Sequence, residues 1–286
     1  MKAERINYPI FLMARCLKVS KSGYYAWLHR QPSVRAIRDA ELKKSIQKAH
    51  DKSRKTYGNR RIQAELSEEG IQVGRDHIYR LRKEMNLKCI QIKKFKATTN
   101  SAHNLPIVPN ILDQCFDVVV PGMVYGTDIT CIPTEEGWLY LAGVKDFGTC
   151  EIIGYEMGPR MTTELTLVAL KKAVRFREPT LGCIHHSDKG SQYCALSYQE
   201  AVKNFGMRPS MSGKGNCYDN APTESFWGSL KQELTHHRKF KYRAEAKAAI
   251  QEWIEVFYNR IRRHSKIGYV APAIYAEKYY AERNIG

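Results

Sequence analysis

Three carboxylates in this 286-residue chain sit where acids are unusual or well placed for chemistry. Asp128 lies mid-strand in Tyr125-Gly126-Thr127-Asp128-Ile129-Thr130, where strand propensity and burial both disfavour an acid. Asp188 ends a short apolar run in His185-His186-Ser187-Asp188-Lys189-Gly190, where a loop begins. Glu224 falls in the first turns of a helix, in Asn220-Ala221-Pro222-Thr223-Glu224-Ser225-Phe226-Trp227, with 35 residues between it and Asp188. Phosphodiester chemistry gives three such acids a reason to converge. Hard divalent ions such as Mg²⁺ prefer carboxylate oxygen, and two ions ~4 Å apart clamp the attacking and leaving oxygens of an in-line displacement. Each acid also has a plainer reading: Asp188 as a turn residue, Glu224 as a favourable anion near a helix N-terminus. On residue chemistry alone the two readings stand level.

The elements that must position these acids follow from periodicity. Val124–Thr134, Trp138–Asp146 and Cys150–Met157 read as strands, with Glu135-Glu136-Gly137 as the hairpin turn between the first two. Thr162 can cap a helix carrying Leu167, Leu170 and Val174 on one face. Leu181–His186 is a short strand, Gln192–Asn204 a helix and Met207–Met211 a strand; Asn220 can cap a helix running to about His236. An antiparallel meander followed by alternating helices and strands is the order of a ribonuclease-H-like α/β domain. Arg243–Arg263 then forms an amphipathic helix with Ala246, Ala249, Ile250, Trp253, Val256 and Phe257 on its stripe. Arg260, Arg262, Arg263 and His264 suit its C-terminus or a phosphate equally.

The other half of the chain is where the charge lies. The formal net charge is +17, and residues 1–100 hold 24 basic and 9 acidic side chains against 22 and 20 in the remainder. That asymmetry points to a polyanion, nucleic acid above all. Residues 8–30 read as two short helices broken at Lys18-Val19-Ser20, and residues 35–55 as a solvated helix. Gly58–Glu69, a turn bracketed by Gly70 and Gly74, and a helix carrying Ile78, Leu81 and Met85 form a helix-turn-helix pattern. The second helix presents Arg75, His77, Arg80, Arg82 and Lys83, the long cationic donors a recognition helix needs. Residues 88–122, basic and then Pro-rich, make an extended linker whose Lys93, Lys94 and Lys96 could track a phosphate backbone.

Other classes are excluded. The 8 cysteines form no C-x-x-C pair, so structural zinc and a disulfide scaffold are not expected, and the chain reads as a reduced, cytosolic protein. No apolar run reaches the ~18 residues of a membrane span. The expected organisation is 1–87 helical and DNA-binding, 88–122 linker, 123–236 catalytic core and 237–286 a C-terminal helical extension.

Several blocks together resemble the OrfB transposases of bacterial insertion sequences, the integrase-like group whose founding element is numbered three. They are Tyr57-Gly58-Asn59-Arg60-Arg61-Ile62, Thr127-Asp128-Ile129-Thr130, the run from His186 to Tyr193, the run from Lys214 to Phe226, and the run from His264 to Pro272. The resemblance implies a retroviral-integrase-type core of ribonuclease-H-like fold, preceded by an all-α helix-turn-helix region. It makes Asp128, Asp188 and Glu224 the catalytic, metal-holding triad, with two Mg²⁺ per site and Mn²⁺ as a substitute. Lys231, seven positions after Glu224, would meet DNA near the site, and Arg60 and Arg61 join the DNA contacts. His186, Gln192 and Asn220 would support the site. The implied activity is metal-dependent 3′-end cleavage at terminal inverted repeats, followed by strand transfer. Tyr125 and Cys131 depart from the aromatic residues common in the group, without touching the triad. Partners implied are double-stranded DNA (element ends and target), a further copy of the chain and an upstream OrfA product; the implied setting is the bacterial cytoplasm, at the nucleoid. Two other readings remain at this point: a DNA-binding regulator on a non-catalytic integrase scaffold, and a simple metal-dependent nuclease that never joins strands.

Overall fold

The structure is a computed structural model that describes residues 1–90, 108–213 and 217–283. Its N-terminal part is all-helical: α1 (Ile10–Cys16), α2 (Lys21–His29), α3 (Val34–Lys52), α4 (Asn59–Glu68) and α5 (Arg75–Glu84). Ser20 caps α2, its Oγ accepting from Gly23 N at 2.9 Å. Gly70, at φ +79°, makes the left-handed turn out of α4 that a side chain would resist. The helix over residues 35–55 is not simply solvated as its sparse apolar positions suggested. Leu42, Ile46 and Ala49 of α3 are buried against Ile62 and Leu66 of α4 and Ile78 and Leu81 of α5, so α3 completes a three-helix core around the helix-turn-helix. A spacing of i, i+4, i+7 is enough for one narrow buried stripe.

The second part is a five-stranded mixed sheet. β1 (Val124–Thr134), β2 (Gly137–Asp146) and β3 (Ile152–Gly158) form the antiparallel meander; β4 (Ile184–Ser187) and β5 (Arg208–Met211) add in parallel, giving the order β3-β2-β1-β4-β5. Between them run α6 (Thr163–Phe176), α7 (Ser191–Cys194) and α8 (Leu196–Asn204), and α9 (Ala221–Leu230), α10 (Arg243–Glu252) and α11 (Pro272–Arg283) follow. This is the ribonuclease-H-like arrangement, preceded by the all-α helix-turn-helix region. Because successive strand residues face opposite ways, Tyr125 and Ala142 join α6 and α8 in one core, while Ile132, Leu139 and Leu141 join α9 and α10 in the other. Gly154 lets α6 lie against β3: a Cβ there would stand 2.5 Å from Ala169 O and from Ala173 N.

Several expected elements differ in detail. β4 starts at Ile184 rather than Leu181, because Gly182 at φ +79° and the Cys183 N to Thr180 O bond make a turn first. The helix expected over 192–204 breaks at Ala195, which is extended at ψ 135°. Asn220 does not cap α9 through its side chain; its Nδ2 donates to Thr127 O at 3.3 Å, tying the helix start to β1. α9 runs on as a π-helical turn over Lys231–Thr235, and α10 as another over Trp253–Tyr258. The wider π turn brings Trp253, Ile254, Phe257 and Tyr258 all inward and leaves Val256 exposed, which the 3.6-residue stripe had placed inside.

Arg263 fastens the two parts together, and its neighbour Arg262 braces the core. Arg263 Nε donates to Glu65 Oε2 of α4 at 2.6 Å, and its Nη2 to Glu68. Tyr57 OH donates to Ile261 O at 3.0 Å and accepts from Arg263 N at 2.9 Å. Arg262 turns the other way, to Glu233 at 2.8 Å and Ser229 Oγ at 3.1 Å on the continuation of α9. Both arginines are buried in ion pairs instead of facing phosphate, while Arg260 stays exposed. Residues 108–122 hold no helix or strand but lie on the core: Asn110 Nδ2 and Gln114 Nε2 donate to Asp219, and Leu112 packs with Val124 and Phe147.

Candidate active site

Asp128 sits on β1 directly opposite Gly143 of β2. Asp188 follows the last residue of β4, next to β1 in the sheet, and Glu224 lies in the first turn of α9, which packs across β1 and β2. The sheet order and one helix therefore bring three acids, far apart in sequence, to one place. All three are half-buried. Asp128 Oδ1 accepts from Ile129 N at 2.7 Å, and Oδ2 from Trp227 Nε1 at 3.0 Å. Burial pushes the Asp128 carboxyl up to about 8, and the charge of Asp188 and then of Glu224 pushes the same way against those two hydrogen bonds. Burial and then Asp188 likewise raise Glu224. Asp188 Oδ1 accepts from Gly190 N at 2.9 Å, which folds the loop back under the carboxylate.

Mutual repulsion among acids in a half-buried cleft is relieved by a proton or by a cation. Hard oxygen donors in this number suit a divalent ion of the Mg²⁺ type, so the donor chemistry fits. The spacing is more open: among the described residues no three His, Cys, Asp or Glu side chains form a ready group for an ion. A cleft of about 320 Å³ opens over Asp128 and Asp188, lined also by Thr130, Met161, Gln192 and Tyr193. A larger cavity of about 840 Å³ runs along the β3 edge between α6 and α10 and contains none of the three acids.

The supporting residues divide. His186 is buried with Nδ1 2.9 Å from Ser210 Oγ and Nε2 3.2 Å from Ser212 Oγ, and burial lowers its pKa to about 4. It holds β4 to β5 and does not face the cleft. Gln192 does line the cleft and donates to Met161 O at 3.2 Å. Asn220 fixes α9 to β1, as described. Sequence reading passed over Trp227 and Lys145. The buried Lys145 Nζ donates to Pro222 O at 2.8 Å, under the helix turn that bears Glu224, and burial lowers its pKa to about 8. The signal for Trp227 was its place three residues after Glu224, one turn along the same helix.

The residues read as DNA contacts also divide. Arg60, Arg75 and Lys83 are exposed on α4 and α5. His77 Nε2 lies 2.8 Å from Asp39 Oδ1, and Arg80 Nη2 donates to Asp39 Oδ2 at 2.9 Å, so both are tied to α3. Arg61 packs over Tyr57, 5.8 Å from the ring centre, towards the Arg262 side of the junction. Arg82 is buried, donating to Asn59 Oδ1 at 2.5 Å. Lys231 is half-buried at the point where α9 passes into its π turn. Lys93, Lys94 and Lys96 lie outside the described residues.

Comparison with known proteins gives the class. Integrase core domain models match residues 120–217 and 205–272, and an HTH-like domain model matches residues 36–95. The fold and these matches define a transposase/integrase enzyme with a DNA-binding helix-turn-helix region. The chain is 55% identical over 268 residues to the insertion element IS600 uncharacterized 31 kDa protein of Shigella sonnei, covering 94% of this chain and 98% of that one. It is 36% identical over 283 residues to transposase InsF for insertion sequence IS3A of Escherichia coli, covering 98% of each. The chain belongs to the family of insertion-sequence transposases that includes InsF. Among solved structures, the catalytic core of HTLV-2 integrase in complex with magnesium is similar at TM-score 0.42 and 13% identity, over 55% of this chain and 97% of that one. A chain of the simian T-cell lymphotropic virus intasome is similar at TM-score 0.45 and 14% identity, over 74% and 69%.

Proposed function

We propose that the chain binds the terminal inverted repeats of an insertion sequence and catalyses metal-dependent 3′-end cleavage and strand transfer, with Asp128, Asp188 and Glu224 as the catalytic carboxylates. The observation that carries this is the meeting of three half-buried acids where β1, the end of β4 and the first turn of α9 come together on an integrase-type sheet. Asp128, the central acid, would hold both of two Mg²⁺ ions (Mn²⁺ substituting), with Asp188 and Glu224 holding one each. Bound there, such ions activate the attacking oxygen and neutralise charge on the leaving oxygen. The chain supplies positioning. Ile129 N and Trp227 fix the Asp128 carboxylate, Gly190 N fixes Asp188, and the Lys145 bond to Pro222 O steadies the turn that carries Glu224. Transfer is direct: the freed 3′-OH attacks the target phosphodiester with no covalent enzyme intermediate, so rate comes from positioning and charge stabilisation.

In this reading residues 1–87 form the end-binding region, with Arg60, Arg75 and Lys83 exposed on it (Arg75 beside Asp76 at 3.8 Å), 88–122 the connecting segment whose residues 108–122 lie on the core, 123–236 the core and 237–286 its helical extension. Lys231 contacts DNA beside Glu224, and Lys93, Lys94 and Lys96 track the backbone. Joining two ends needs at least two copies of the chain, and an upstream OrfA product is a further partner. Among the described residues no helix is long and apolar enough to cross a membrane. In this reading the chain acts on DNA in the bacterial cytoplasm, at the nucleoid. Labelled terminal-repeat DNA incubated with the chain and Mg²⁺ tests the proposal: 3′-end cleavage and joined products are expected. Binding without cleavage would favour a regulator, and hydrolysis without joining a nuclease.

A further inference from the structure

Trp227 is 4% exposed, yet its indole N–H is directed at a carboxylate rather than at solvent or a carbonyl. Its partner is Asp128 Oδ2, at 3.0 Å. With Ile129 N on Oδ1 at 2.7 Å, each Asp128 oxygen has one fixed donor, and the rotation of the carboxylate is set. α9 packs on β1, and the Trp227 ring extends from it over the neighbouring strand β2. The residue beneath it there is Gly143, the direct antiparallel partner of Asp128. A Cβ at Gly143 would stand 2.8 Å from Trp227 Cη2 and 3.3 Å from Cζ2, so the ring needs bare backbone at that one position. Phe226, at 4.7 Å between ring centres, backs the indole. Trp227 is one helical turn from Glu224, so the helix that carries the third acid also holds the first.

We propose that Trp227 is a positioning residue for Asp128, and that Gly143 is the position that lets it act. The inference rests on the reading of Asp128 as a catalytic carboxylate. Charge-assisted bonds to a fixed donor orient a carboxylate more strongly than neutral ones. By bonding one lone pair of Oδ2, the indole leaves the remaining oxygen directions to face the cleft. It also links the placement of Asp128 to that of Glu224, so the two acids move as one unit with α9.

The test uses the full chain with four variants: Trp227→Phe, Gly143→Ala, the double variant, and Asp128→Asn. Trp227→Phe keeps an aromatic ring and removes the N–H. It is expected to slow Mg²⁺-dependent end cleavage by ~10- to 100-fold, the usual cost of losing a group that orients a metal-binding side chain. Terminal-repeat affinity should be unchanged, and the Mg²⁺ concentration for half-maximal cleavage should rise. Gly143→Ala should slow cleavage by pushing the indole aside. In the Trp227→Phe background it should add little, since residues acting through one contact are not additive. A readout independent of turnover is the indole ¹H–¹⁵N resonance of Trp227, identified by its absence in Trp227→Phe. It should move upfield in Asp128→Asn. Wild-type cleavage and Mg²⁺ dependence in Trp227→Phe would overturn the proposal, as would an indole resonance unmoved by Asp128→Asn. Should Trp227→Phe fail to fold, the resonance is assigned by elimination from Trp27→Phe, Trp138→Phe and Trp253→Phe, and its response to Asp128→Asn decides alone. Cleavage by Asp128→Asn would instead sink the reading of Asp128 itself.

Discussion

Replacing Arg263 by Met removes the buried ion pair between the helix-turn-helix region and the core, leaving the exposed Arg54–Glu252 pair in place. Glu65, its main partner, is 4% exposed and has one other cation, Lys52 Nζ. Removing one member of a buried pair costs ~3–5 kcal/mol because the other charge stays buried. Lys52 is exposed and remains, and Tyr57 OH keeps its bond to Ile261 O, so the low end, about 3 kcal/mol, is expected. The loss should fall on the junction. Urea unfolding should show a lower midpoint for α3–α5 than for the sheet, and hydrogen exchange in α4 should quicken while that in β1 holds. The double change Glu65→Leu with Arg263→Met should recover most of the loss, since an apolar pair can replace a buried ion pair of similar size. Destabilisation of Arg263→Met by under ~1 kcal/mol, the range of an exposed pair, would refute this account of the junction.

Two further outcomes follow from other sites. Burial holds the His185 pKa down to about 3 against its ordinary 6.5, and its Nε2 lies 2.9 Å from Tyr198 OH. The unfolded chain takes up this proton first as pH falls, so stability present above pH 6.5 should decline from there towards about 3. His185→Phe should flatten that acid limb in urea titrations from pH 7 to 4; an unchanged limb would assign it elsewhere. For DNA, Arg60→Gln, Lys83→Gln and Arg75→Gln (its Asp76 contact is exposed and long at 3.8 Å) should each lower the log–log salt slope of terminal-repeat binding by ~0.9. Arg80→Gln should lower it little, because Asp39 already holds that guanidinium; equal slopes for all four variants would contradict this division.

Much of the site was legible because its parts are local. β1 reads as Val124–Thr134 from its Tyr, Ile and Thr content and the turn at Glu135-Glu136-Gly137, and is found over those residues. Thr162 is the helix cap its position suggested, accepting from Leu165 N at 3.3 Å. Asp128 stood out as an acid in a strand, which made it a candidate, and it is found half-buried on β1. What stayed hidden depends on tertiary neighbours. Arg262, Arg263 and Arg80 look like any cations on a basic helix until Glu233, Glu65 and Asp39 arrive from distant segments. The π turns after Leu230 and Glu252 have no short-range signature, so the expected helices kept one pitch throughout. Trp227 was passed over, because only the β1–β2 register puts Gly143 beneath the ring and Asp128 at its N–H.

The most direct measurement of the central claim is gel analysis of labelled terminal-repeat DNA with Mg²⁺, run on the full chain and on Asp128→Asn, Asp188→Asn and Glu224→Gln. The account predicts that the unaltered chain nicks at the 3′ ends and yields joined strands. Each variant should bind the same DNA with unchanged affinity and produce neither product. Full cleavage and joining by any one of the three variants would contradict the assignment of these carboxylates as the catalytic set.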